Sequence, residues 1–196
     1  MTEGNGKEEF DLGQRQTLLM MKAFLCSETL FFVALIIGFV FFRHYTTDWA
    51  ESQRALDWKT SGAYTVALIL SSLTLNFAVR CYEKAKKGAF LVWAVLTAAL
   101  GLAFLGHQIV EYGDLYRQSI TMSSSIFGSA FYTLTGFHTL HVAVGLVVLS
   151  VVFTLMTFDK LRCPSSGARA AEYYWHFVDV VWIVVFTIVY LGGVVV

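Results

Sequence analysis

Charge is what this chain has least of. Only 14% of its 196 residues are Asp, Glu, Lys or Arg, against roughly 25% in soluble domains, which excludes an ordinary water-soluble globule. Proline is almost missing: Pro164 stands alone, so little interrupts a long helix. The formal net charge is zero, which removes the basic footprint of a nucleic-acid binder. Three cysteines, Cys26, Cys81 and Cys163, fit neither a disulfide framework nor a metal knuckle and read as free thiols. Period-two alternation is lacking, which argues against a membrane barrel. No internal repeat is visible, which argues against an inverted-repeat transporter. The polar N-terminus has no short apolar core followed by small residues, so no cleavable signal peptide is expected.

What remains is hydrocarbon. The chain is 57% hydrophobic, in runs of about 20 residues, each long enough to cross a bilayer as a helix. The expected fold is all-α: a single polytopic membrane domain over 1–196 with a polar tail at 1–16. Five transmembrane helices are predicted near 17–43, 62–81, 89–111, 126–157 and 172–195. Thr121-Met122-Ser123-Ser124-Ser125 marks the start of the fourth. At 1.5 Å per residue that helix is about 48 Å long, against a hydrocarbon core of about 30 Å, so it must tilt or project. Ten of the fourteen Lys and Arg residues fall on the N-terminal side of the membrane. The positive-inside rule therefore predicts a cytoplasmic N-terminus and a periplasmic C-terminus.

Several polar side chains fall where lipid is expected. Glu28 lies one-third of the way along the first helix. It reads as a buried hydrogen-bonded acid, as a contact for a lipid headgroup or water in a cleft, or as a proton relay. His138 and His141, three apart, share a face of the fourth helix. Such a pair can bind zinc or copper, but no cysteine pair or His-Glu-x-x-His pattern supports that, and interhelix hydrogen bonding is the expectation. Gln108 and Glu111, with His107 and Tyr112, make either an outer polar cluster or a snorkelling helix end. Gly128, Ser129, Thr133, Gly136 and Gly145 mark a small-residue side that allows close helix approach. The phenylalanines, among them Phe31, Phe32, Phe39, Phe41 and Phe42, read as packing or lipid-facing residues, and equally as an apolar path for dioxygen. His176 and Asp179 open the last helix on one face, as either an interfacial anchor or a functional pair. Their topology puts Glu111 and His176 in opposite leaflets.

Four blocks carry a family resemblance. They are Ser27-Glu28-Thr29-Leu30-Phe31-Phe32; Leu100-Gly101-Leu102-Ala103-Phe104 with Gln108 and Glu111-Tyr112; Phe127-Gly128-Ser129 with Thr135-Gly136-Phe137-His138-Thr139-Leu140-His141-Val142; and Trp175-His176-Phe177-Val178-Asp179-Val180-Val181-Trp182. In this order they resemble subunit III of haem–copper terminal oxidases, in its short five-helix form. The resemblance implies a V-shaped bundle with phospholipid in the cleft, docked on subunit I. Haem and copper would lie in partner subunits, with no cofactor, metal or catalytic residue in this chain. The complex would reduce dioxygen to water and move protons across the bacterial inner membrane. This chain would stabilise subunit I and support proton uptake, beside subunit II and small subunits. The matching glutamate, Glu28, would lie in the bundle that encloses phospholipid.

The loop before the last helix departs from the family pattern, with Arg169 ahead of Ala170-Ala171 and Glu172 after it. Lys160 and Arg162 are candidate headgroup partners on electrostatic grounds, at about 1 kcal/mol per basic residue near an anionic leaflet. The electron donor, cytochrome c or quinol, is chosen in another subunit. The alternatives are a quinol oxidase subunit, an accessory protein of nitric oxide reduction, or a small transporter using Glu28 and the histidines.

Overall fold

The computed structural model describes residues 2–46, 49–158 and 164–193, with side chains for 12–46, 49–158 and 167–192. Six helices account for nearly all of it: α1 (Thr2–Tyr45), α2 (Trp49–Gln53), α3 (Trp58–Glu83), α4 (Lys87–Arg117), α5 (Ile126–Thr157) and α6 (Pro164–Val189). A 3-10 turn, Leu191–Gly193, follows α6. All but the five-residue α2 contain a stretch long and apolar enough to cross a membrane, as the hydropathy pattern predicts.

Several boundaries differ from expectation, α3 starting four residues early at Trp58 and α4 running six residues past 111 to Arg117. The polar segment 2–16 is helical and continuous with the first span. It contains no proline, and once the apolar span has nucleated a helix, adding residues at its end costs little. Likewise α6 starts at Pro164, eight residues before the apolar run. Proline suits a first helical turn, where its missing N–H has no partner to lose. Lys160 and Arg162 lie outside the described residues.

The helix ends are set locally. Asp57 caps α3 by accepting from the backbone N–H of Lys59 at 3.1 Å and of Thr60 at 3.3 Å. Ser125 caps α5 from the Gly128 N–H at 3.0 Å, where the serine run placed the start. α3 and α4 both end in Schellman motifs. After α3, Lys86 N–H reaches Cys81 O and Ala85 N–H reaches Tyr82 O, both at 2.9 Å. After α4, Ile120 N–H reaches Leu115 O and Ser119 N–H reaches Tyr116 O, both at 3.0 Å. The left-handed positions of these motifs hold Ala85 (φ 54°) and Ser119 (φ 63°) rather than glycine.

The long helices touch in a closed ring, α1 to α5 to α4 to α3 to α6 and back to α1, with α5 and α6 also in contact across it. The interior is aromatic: Trp175, Trp182, Phe104, Phe127 and Phe131 are all buried. Trp175 fits because two helices thin out beside it. A Cβ on Gly101 would lie 3.0 Å, and one on Gly145 2.9 Å, from its indole. So Gly145 does permit close approach, as the small-residue pattern predicts. A Cβ on Gly136 would meet no other helix within 4 Å among the described residues, and Gly128 sits against the Thr121 carbonyl of its own N-terminal loop. These glycines therefore serve three separate surroundings, not one face.

Candidate functional site

α6 is stitched to α3 by polar side chains. Trp175 Nε1–H donates to Ser71 Oγ at 2.9 Å, and Trp182 Nε1–H to Thr65 Oγ1 at 2.9 Å. Between them Ser72 Oγ–H donates to Asp179. Ser72 has one hydrogen and gives it to Asp179, so the His176 Nδ1 contact at 3.0 Å is an N–H donated to Ser72. His176 also meets Asn76 at 3.4 Å and lies 3.9 Å from Glu172. The residues 175, 176, 179 and 182 recur with the helical period, so the row is continuous along one stripe of α6.

A second pair crosses from α1 to α5. Glu28 lies 3.1 Å from His141 Nε2. His141 Nδ1 is 2.7 Å from the Phe137 carbonyl, which can only accept, so Nδ1 carries a hydrogen. One proton is therefore shared between Glu28 and Nε2. Tyr174 of α6 donates to the His141 carbonyl at 3.1 Å, joining three helices at this point.

His138 departs from expectation. It is fully buried, and neither ring nitrogen has a hydrogen-bond partner among the described residues. Its ring stacks on Trp182 at 4.8 Å and meets the edges of Phe104 and Phe32 at 6.1 and 6.3 Å. It packs as an aromatic ring, while its neighbour three residues on forms the polar contact.

The third cluster joins α3, α4 and the end of α6. Ser61 Oγ–H donates to Glu111 Oε1 at 3.1 Å. Gln108 Nε2–H and Tyr190 O–H donate to Glu111 Oε2 at 3.0 and 2.7 Å. His107 Nε2 lies 3.1 Å from the same Ser61 oxygen, and its ring stacks on Tyr64. Tyr112 turns away, toward Thr135 at 3.0 Å and Thr139 at 3.3 Å on α5. Gln108, Glu111 and His107 thus gather in one polar cluster, one of the two readings these residues allowed, while Tyr112 belongs to a different seam. Asp57, at its edge, is held below the usual carboxylate range by its bonds from Thr60, with a smaller pull from His107. Beside α6's end, Gln53 donates to the Val189 carbonyl and Arg43 to the Gly192 carbonyl. Glu111 and His176 keep to separate clusters.

His138 and His141 face different surroundings, and among the described residues no three His, Cys, Asp or Glu side chains gather to hold a metal. Sequence reasoning missed Ser61, Ser71, Ser72, Thr65, Asn76 and Tyr190. Their only signal was a hydroxyl or amide in an apolar run.

A family model described as Cytochrome c oxidase subunit III matches residues 3–194. The chain belongs to the cytochrome c oxidase subunit III family. It is 36% identical over 171 residues to a cytochrome c oxidase subunit 3 of Synechocystis sp., covering 86% of this chain and 72% of the relative. It is 37% identical over 175 residues to one of Alkalihalophilus pseudofirmus, covering 87% and 84%. With one of Bacillus subtilis it shares 35% over 193 residues, covering 96% and 92%. It is thus similar to subunit III of haem–copper oxidases nearly end to end, and the quinol-oxidase reading is not favoured. Subunit III belongs to an oxidoreductase complex, so the chain is a multi-pass membrane protein with other oxidase subunits as partners.

Proposed function

We propose that this chain is a scaffold subunit of a cytochrome c oxidase that docks on subunit I, holds phospholipid and supports proton uptake, with haem and copper chemistry left to its partners. The observation that carries this reading is how the intramembrane polar groups are used. Glu28 with His141, Ser72 with Asp179, and the two indoles with Ser71 and Thr65 each join one helix to another. Polar groups matched in pairs across helix seams fix helix order, at about 0.6–2 kcal/mol each in a membrane.

Phospholipid is supported by two apolar grooves on either side of the Glu28–His141 contact. One, of about 400 Å³, runs between α1 and α5 along Leu35, Gly38, Phe42 and Ala130. The other, of about 320 Å³, is lined by Met21, Phe24, Leu140, Val144, Val148 and Tyr174. Both suit acyl chains, with the polar pair between them. The basic-residue bias supports an inner-membrane placement with the N-terminus cytoplasmic and the C-terminus periplasmic.

Affinity purification through a tag on this chain tests the reading. Haem absorbance and cytochrome c-dependent oxygen consumption should accompany it, and the separated chain should be colourless and inactive. Solute transport by the chain reconstituted alone would overturn the proposal in favour of a transporter.

A further inference from the structure

The Glu111 cluster borders a cavity lined by polar and charged side chains. This cavity, of about 450 Å³ at the loop end of α3 and α4, is lined by Asp57, Thr60, His107, Glu111, Asp114 and Arg117. Glu111 itself is buried. Every element packed around it contributes a hydroxyl, an amide or a titratable group. From α3 come Ser61 and the capping Asp57; from α4, His107, Gln108 and Asp114, the last paired with Arg117 at 3.5 Å. From the end of α6 comes Tyr190, and from α5 Tyr132 lies within its field. No cation is paired with Glu111 among the described residues.

The hydrogens can be placed by counting. Ser61 has one hydrogen. When Glu111 is ionised, Ser61 gives that hydrogen to Oε1, so the 3.1 Å contact from His107 must be Nε2–H donating to Ser61 Oγ. The other ring nitrogen, Nδ1, has no partner among the hydrogen bonds of this cluster, and the ring lines the cavity. When Glu111 is protonated on Oε1, it donates to Ser61 Oγ, and Ser61 donates to His107 Nε2. Oε2 keeps both of its bonds, from Gln108 and Tyr190, in either state. All four contacts are therefore satisfied with the carboxyl charged or neutral.

We propose that His107, Ser61 and Glu111 form a proton relay between the aqueous cavity and the buried Glu111 carboxyl, so that this chain loads and unloads one proton with no change of fold. Water in the cavity protonates His107 at Nδ1. The Nε2 proton passes to Ser61 Oγ as the Ser61 hydroxyl proton passes to Glu111 Oε1. One proton has entered, the imidazole is neutral with its hydrogen now on Nδ1, and Ser61 again carries one hydrogen. Unloading runs the same steps backward. Imidazole suits the task because it accepts at one nitrogen and donates at the other.

Time-resolved infrared spectroscopy after a pH jump tests this in the membrane-reconstituted complex carrying this chain. Glu111→Gln should remove one protonated-carboxyl band, which assigns that band. His107→Ala should slow the band's appearance about tenfold or more at unchanged final amplitude, within the usual worth of a positioned acid–base group. Imidazole added to the buffer should restore the rate. Ser61→Ala should be as slow and gain nothing from imidazole, while Ser61→Thr, which keeps the hydroxyl, should match the wild type. His107→Gln, which donates but cannot pass a proton through, serves if the alanine variant fails to assemble. A Glu111 band that ignores pH, or one that forms at the wild-type rate in the His107 and Ser61→Ala variants, overturns the relay.

Discussion

At the scale of single residues, what governs this protein is how each polar atom in an apolar bundle finds its partner. Glu28 and His141 share one proton and satisfy each other, so a neutral amide should replace the acid with little cost. Glu28→Gln is expected to preserve assembly and initial oxygen reduction, and oxygen uptake by the purified complex checks it. Complete loss of turnover in a fully assembled variant would give Glu28 a direct part in the chemistry. Glu28→Ala leaves the half-buried His141 Nε2 without its partner and should cost about 1 kcal/mol or somewhat more, read as earlier thermal dissociation. Gly101 and Gly145 make the complementary case. Alanine at either pushes a methyl into the Trp175 indole, and at Gly101 into Leu146 as well, and should cost roughly 1–3 kcal/mol by overpacking. Trp175→Phe should recover part of that loss in the double variant, because the smaller ring vacates the space even though the bond to Ser71 goes. How much of this was legible in the sequence depends on the residue. A carboxylate or imidazole in an apolar run is conspicuous, so Glu28, His141 and Asp179 stand out. Their partners do not: Glu28 and His141 are 113 positions apart. A helical serine or threonine carries no signal either, because most such hydroxyls bond their own helix, as Thr29 does to Leu25 and Thr133 to Ser129. Ser72 looks the same in sequence but donates across to Asp179 of α6, and Thr65 bonds its own helix while also accepting from Trp182.

At the scale of helices, span positions follow from hydropathy, but ends follow from capping and turn chemistry. The start of α5 was readable because Ser125 is a strong cap. The start of α1 was not, since polarity marks where a helix leaves lipid and not where it unwinds. The Schellman turns after α3 and α4 expose a conflict between sequence and backbone. Ala85 and Ser119 occupy left-handed positions that cost an L-residue roughly 1–2 kcal/mol and glycine almost nothing. Ala85→Gly and Ser119→Gly should each stabilise the chain by about 1 kcal/mol, less the entropy glycine adds to the unfolded state. Thermal melts of the detergent-solubilised complex would show the rise, and unchanged or lower melting would mean the turns relax in the alanine and serine forms. Asp57→Ala should act the other way, losing the α3 cap at about 1 kcal/mol, while Asp57→Asn should restore most of it. The folded carboxyl titrates below its ordinary value, so its contribution is fully present above the unfolded pKa. It disappears as pH falls through the lower folded value, and melts of wild type and Asp57→Asn should diverge only in that acid range.

At the scale of the whole molecule, the last helix is the hub. α6 touches α1, α3 and α5, and its far end reaches Glu111 on α4 through Tyr190. Gln53 and Arg43 cover the carbonyls at that end. Before α6 arrives, Ser72 lacks the carboxylate it donates to, Ser71 and Thr65 keep bonds within α3 but lack the indole N–H groups they accept, and the space beside Gly101 and Gly145 lacks the indole that fills it. Membrane helices can insert as independent units and associate afterwards, so α6 need not be covalently joined to find its place. Cutting the chain between α5 and α6 and co-expressing the two pieces should therefore restore a complex that α1–α5 alone does not form. Ser72→Ala with Thr65→Ala in the larger piece should weaken recovery of α6 on a tag by more than either change alone, because the two bonds anchor one stripe. If α1–α5 alone accumulates in the membrane as stably as the intact chain, or if the split α6 binds equally well without those hydroxyls, then apolar packing around Trp175 and Trp182 sets the helix order. In that case the polar row would be only tolerated there.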